Sequence, residues 1–156
     1  MTTIEQHTGD MLAVPSGILV HGCNALGVMG SGIALAVRKQ YPGAYQLYRD
    51  RFDTLGLTLG EVIYADVSSQ EPGTGRKIIA NAITQATVAT YPGELVVSYE
   101  AIGACFRDIA RFARAAHLPV HFPLIGCGLG GGDWAQVSAI IEEALGPEIE
   151  KHLWTL

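Results

Sequence analysis

Two stretches of the chain join a side chain capable of acid–base chemistry to a run of glycines. The first is His21-Gly22-Cys23-Asn24 leading on to Gly30, Ser31 and Gly32, and the second is Gly126-Cys127-Gly128-Leu129-Gly130 leading on to Asp133. Histidine, with an ordinary pKa near 6.5, can orient water or take a proton from it. Glycine lets main-chain N–H groups approach a ligand closely, and the first turn of a helix adds unpaired donors and the positive end of the dipole. Together these groups hold an anion without cationic side chains, which suits the absence of lysine and arginine between His21 and Val37. Two such loops at the carboxyl ends of parallel strands would hold both phosphates of a pyrophosphate, or a phosphate and a sugar.

The elements that must carry these loops can be read from hydrophobic period. Short apolar runs bounded by turn residues predict buried strands over 17–22, 61–67, 77–83 and 118–125, with weaker candidates at 4–7 and 152–156. Ser31 precedes a helix expected to end near Tyr41, because Pro42 disfavours helical geometry in the residue before it, and a short helix over 44–52 follows. Ser98 is a candidate cap for a helix whose Ile102, Cys105, Phe106, Ile109, Phe112 and Ala113 form one stripe. Asp133 and Gln136 make a capping-box pattern before another stripe that stops at Gly146-Pro147. Strands alternating with helices predict an α/β fold with a central sheet covered on both faces. Residues 68–76 read as a surface turn, and 87–98 as a loop long enough to cover a site.

Composition narrows the function. A chain of 156 residues is the size of one domain, expected to span 1–156. A net charge of -5 argues against a polyanion-binding surface, which would need lysine and arginine against phosphates. Arg107, Arg111 and Arg114 recur on one predicted helix and read as its solvated face. No apolar run approaches a membrane span, MTTIEQHTGD has no leader-like pattern, and three cysteines suit a reducing compartment, so a soluble cytoplasmic protein is expected. There is no GxxxxGK[ST]. Gly126, Gly128 and Gly131 satisfy GxGxxG, but no strand bearing an acidic ribose ligand follows about 20 residues on. His21, Cys23, His121 and Cys127 lack the paired spacing of structural zinc sites, so no metal is expected, and no cofactor.

Taken together, Gly9-Asp10, HGCNALGVMGSGIA, YPGAYQLY, SYEAI, PLIGCGLGGGDW and the terminal LWTL resemble a macrodomain, the ADP-ribose-binding fold, over essentially the whole chain. The resemblance implies a three-layer α/β/α domain with a mixed, mostly parallel sheet. It is closest to small stand-alone members related to ADP-ribose-1''-phosphate phosphatases and to enzymes that remove ADP-ribose from glutamate. It implies that Asp10, with Met11 beside it, accepts the adenine amino group and that Trp154 stacks on adenine. Asn24, Gly30, Ser31, Gly32 and Ile33 would wrap the distal ribose and phosphates, while Ile125, Gly126, Cys127, Gly128, Leu129 and Gly130 would cradle the pyrophosphate. The implied ligand is ADP-ribose or ADP-ribose-1''-phosphate, or an ADP-ribosylated macromolecule. Within it the expected reaction is in-line attack of water on the 1''-phosphate, with His21 as base or positioner, Asn24 on the ribose and Asp133 as a second acid; the alternatives are removal of ADP-ribose from protein or nucleic acid, and binding of ADP-ribose without turnover. The glutamate-acting members carry a lysine and an aspartate where this chain has Gln85 and Gly130, which removes a lysine-based covalent route.

Overall fold

The structure is a computed structural model that describes every residue except 1, 2, 72 and 74. Six strands form one sheet: β1 (Ile4–Thr8), β2 (Gly17–Asn24), β3 (Val62–Asp66), β4 (Lys77–Gln85), β5 (Val120–Phe122) and β6 (Lys151–Thr155). Their order is β1-β6-β5-β2-β4-β3, and only the β3–β4 pairing is antiparallel. Four helices cover it: α1 (Gly32–Gln40), α2 (Pro42–Leu55), α3 (Tyr99–Ala116) and α4 (Trp134–Leu145). The result is the expected three-layer α/β/α arrangement with a mixed, mostly parallel sheet.

Alternation along the strands divides the core. Ile18 and Val20 of β2, Ile78 and Ala80 of β4, and Phe122 of β5 pack against Ile102, Phe106 and Ile109 of α3 and Val137 and Ile141 of α4. On the other face Leu19 and Ile79 meet Val37, Tyr41 and Ala44, while Cys23 and Ile83 meet Met29 and Tyr48. Strand β4 is therefore buried on both sides from Lys77 to Thr84, which is why it reads as a nearly unbroken apolar run.

Two boundaries differ from the sequence expectation for identifiable reasons. The strand expected over 118–125 is confined to Val120–Phe122, because Pro123 has no N–H for the ladder and Ile125 N–H turns back to the Pro123 carbonyl. The helix expected over 44–52 runs from Pro42, which is pre-set for a first helical position, to Leu55 before Gly56. The turn expected over 68–76 opens with a 3-10 helix at Ser68–Gln70, and its positions 72 and 74 lie outside the described residues. Among the described residues no helix is long and apolar enough to cross a membrane.

One buried charge fastens the end of the sheet nearest Asp10. Lys77 is fully buried, donating to the Leu12 carbonyl at 2.7 Å and the Tyr41 hydroxyl at 2.6 Å, with Glu71 at 3.3 Å. It thereby holds the 3-10 turn Met11–Ala13. Such a lysine is tolerated in the interior because its donors are met by oxygen atoms.

Candidate functional site

The loops that follow β2, β4 and β5 leave the carboxyl end of the parallel sheet side by side. At the end of β2 the pairing with β4 slips between Cys23 and Asn24, and the chain turns outward. Asn24 then folds the first loop onto itself. Its amide donates to the Val28 carbonyl at 2.9 Å, its carbonyl oxygen accepts from Leu26 N–H at 3.0 Å, and the Tyr48 hydroxyl reaches both its oxygens at 2.7 and 3.0 Å. Met29 plugs the loop into the core beside Cys23 and Tyr48. Beyond it Gly30, Ser31 and Gly32 are exposed, and Ile33 packs inward behind them.

The second loop is pinned by the segment after β4. Val96 N–H donates to the Gly130 carbonyl at 2.9 Å, and Gly132 N–H donates to the Gly126 carbonyl at 2.7 Å. A Cβ on Gly131, whose φ is +74°, would stand 2.2 Å from the Glu94 carbonyl oxygen, and one on Gly126, at φ +72°, would stand 2.6 Å from Val97. These glycines are demanded by packing. Gly128 differs: a Cβ there would meet no protein atom within 4 Å, and it is exposed beside Leu129. Ile125 is buried at the root of the loop, Cys127 is half-buried and Gly130 is buried under 94–97. Gly131→Ala should therefore destabilise the fold, by about 3 kcal/mol from the left-handed backbone and the carbonyl clash together. Urea denaturation reads this directly, and a loss below ~0.5 kcal/mol would contradict the packing, being no more than an ordinary surface substitution shows.

Both glycine loops end at helix N-termini without side-chain caps. Ser31 and Asp133 occupy the expected cap positions of α1 and α4, yet neither side chain makes a cap hydrogen bond, and neither helix has an acidic residue in its first turn. By contrast, α3 is closed by the Ser98 hydroxyl on Ala101 N–H at 3.1 Å and has Glu100 in its first turn. The capping box read at Asp133 is thus not formed. Asp133 is exposed, its own N–H is held by the Tyr99 hydroxyl at 3.0 Å, and its carboxylate makes no hydrogen bond to the helix amides. The first-turn N–H groups of α1 and α4 remain available to an anion.

His21 does not stand with these groups. It is 1% exposed, lies between the sheet and α2, and is bonded through Nε2 to the Asn81 carbonyl oxygen at 2.6 Å, while the Asn81 amide donates to Ala44. Burial pushes its pKa down to about 4, against the opposing effect of the Asn81 bond, so the ring is neutral near pH 7. The side chain expected to act on water is instead tied to Asn81 of β4, whose amide reaches the Ala44 carbonyl of α2. The thiols offer no substitute: burial raises Cys23 well above its ordinary value, and burial with nearby Asp133 raises Cys127.

The remaining expected residues gather at the β1–β6 edge. Asp10 is exposed and caps the 3-10 turn, its Oδ1 accepting from Leu12 N–H at 2.9 Å, with Met11 buried behind it. Gly9 bonds Thr155 of β6 and leaves the Trp154 ring alongside. Trp154 is half-buried, stacked on His7 with centroids 4.5 Å apart, and donates to His121 at 3.0 Å. Sequence reading missed three residues that shape the site. Tyr48 and Tyr99 hold Asn24 and Asp133 from elements far along the chain, and Thr84, beside Gly22, has a buried hydroxyl that bonds no protein group.

A family profile described as Macro domain matches residues 20–141, most of the chain and both loops. The chain belongs to the macro domain family. A DNA ADP-ribosyl glycohydrolase of Mycobacterium tuberculosis is 31% identical over 131 residues, covering 83% of this macro domain and 35% of that protein. An ADP-ribose 1''-phosphate phosphatase of Chaetomium globosum is 47% identical over 47 residues, 30% of this chain and 25% of that one. The macro domain thus spans about a third or less of these curated relatives. Among solved structures, the macrodomain of Mycobacterium tuberculosis DarG superposes with a TM-score of 0.82 at 27% identity, over 99% of this chain and 98% of that one.

Proposed function

We propose that this macro domain binds ADP-ribose through main-chain amides and hydrolyses the phosphate of ADP-ribose-1''-phosphate. The observation that carries the binding half is the pair of uncapped helix N-termini behind exposed glycines, at α1 and α4, with α3 capped for contrast. Each terminus suits one phosphate of a diphosphate, and neither needs a lysine. Asp10 and Trp154 stand together at the far end, where a carboxylate and an aromatic face suit an adenine amino group and its ring.

For turnover the exposed Asp133 carboxylate takes the acid–base role in place of buried His21. It would accept the proton of the attacking water while the α4 amides meet the charge growing on the phosphoryl oxygens. Gln85 supports the phosphate reading against a lysine-dependent route, its amide being turned to the Thr87 carbonyl at 2.7 Å. A second reading, release of ADP-ribose from a macromolecule, is favoured by the glycohydrolase relative that matches 83% of the chain.

One assay separates them: incubation with ADP-ribose-1''-phosphate and, separately, with ADP-ribosylated DNA and ADP-ribosylated carboxylate protein. Free phosphate alone supports the first reading and free ADP-ribose the second, whereas binding without either product rejects both. Asp133→Asn should lower kcat by about 100-fold or more while ADP-ribose affinity stays within about threefold. Unchanged turnover would remove Asp133 from the mechanism.

A further inference from the structure

Helices α1 and α2 pack over β2, β3 and β4, and on the same face of the sheet the neighbouring strands carry a cluster of titratable side chains. Register puts Glu5 opposite His152, His7 opposite Trp154, and His121 between His152 and Leu19, so these side chains share one face. Neither the ADP-ribose reading nor the expected chemistry uses Glu5, His7 or His152.

Their geometry is that of a ligand set. His7 Nε2 lies 2.8 Å from His152 Nδ1, and Glu5 Oε2 lies 3.5 Å from His152 Nδ1 and 3.9 Å from His7 Nε2. In a tetrahedral site with bonds of about 2.0–2.1 Å, neighbouring ligand atoms stand about 3.3 Å apart. The three separations bracket that value, so an ion fits between them after shifts of about half an ångström. The second ring nitrogen of His152 is also committed: Nε2 meets the Glu150 carboxylate at 2.7 Å. That bond puts the hydrogen on Nε2 and turns the Nδ1 lone pair towards His7 and Glu5. A carboxylate behind an imidazole in this way is how metal-binding histidines are oriented and made more basic.

We propose that Glu5, His7 and His152 form a zinc site, with Glu150 as the positioning residue behind His152. Two imidazoles and one carboxylate suit a borderline divalent ion, and three protein ligands leave one position for water. In the metal-free protein His7 donates its Nε2 hydrogen to His152; with the ion bound, that hydrogen moves to Nδ1 of His7 and both facing lone pairs point at the metal. Because His7 stacks on Trp154, the ion would also fix the indole beside the Asp10 turn.

The test is calorimetric titration of zinc into the full chain near pH 7.5, in a Cys127→Ser background that removes the half-exposed thiol. One ion should bind per chain and raise Tm. His7→Asn and Glu5→Gln should each weaken binding at least tenfold, and Glu150→Gln should weaken it about tenfold without touching the ion. Cobalt in the same site should give the intense visible bands of a four-coordinate ion. No saturation up to millimolar zinc, or affinity unaltered by His7→Asn while the variant remains folded by circular dichroism, overturns the assignment.

Discussion

Gly128→Val is expected to fold as the wild-type chain does and to lose ADP-ribose. The two halves of this outcome come from one measurement of space: a Cβ at Gly128 would meet nothing of the protein within 4 Å, and the residue is not in the left-handed region that would exclude a side chain. Nothing in the fold requires glycine there. If the loop amides grip a diphosphate, however, an isopropyl group at this exposed turn stands where the ligand must approach. Affinity should fall by at least ~100-fold, about 2.7 kcal/mol, with Tm within about 2 °C of wild type. Calorimetry with ADP-ribose and thermal denaturation on the same preparation read both halves. Retained affinity would mean that the second loop does not lie against the nucleotide, and with it the main-chain account of binding would fail. Gly131→Ala serves as the opposite control, because there the Glu94 carbonyl fills the space and stability is what suffers.

The contrast between those two glycines also marks how far sequence can reach. Strand, loop and helix order around both glycine runs is written in local period and punctuation, and the six strands and four helices follow it closely. Cap positions at Ser31, Ser98 and Asp133 are local as well, and all three helices begin where these residues stand. Whether a cap side chain is used depends on what else it can meet: Ser98 closes its helix, while Ser31 and Asp133 leave theirs open. Which glycines serve packing and which serve a ligand is likewise invisible in GCGLGGG, since the Glu94–Val97 segment that crowds Gly126 and Gly131 lies about 30 positions or more earlier. The same distance hides His7 from His152, 145 positions apart, so no spacing rule could pair them. His21 shows the reverse case. Its neighbours in sequence suggest a site, but strand alternation turns its ring to the α2 side, where Asn81, 60 positions on, takes it up.

That burial makes acid the condition under which His21 matters most. In the folded chain its pKa is about 4, against an ordinary value near 6.5 when unfolded. Above pH 6.5 both states hold the ring neutral, and the Asn81 bond contributes fully. Between pH 6.5 and 4 the unfolded chain takes up a proton that the folded one refuses, so stability falls as pH falls through this window, by about 3 kcal/mol in all. Below pH 4 both states are protonated and the loss is complete. His21→Gln keeps a donor for the Asn81 oxygen but does not titrate, so it should be less stable than wild type at pH 7, by about 1 kcal/mol from imperfect packing. The deficit should shrink and then reverse as pH approaches 4. Urea denaturation of both proteins at half-unit pH steps reads the difference, and the carboxylates common to both cancel in it. Parallel stability curves from pH 7 to 4 would show that the ring takes up its proton at the same pH in the folded chain as in the unfolded one, because the native packing either admits water to it or meets its charge. In either case His21 would return as a candidate for handling the proton of an attacking water, and Asp133 would lose its claim to act alone.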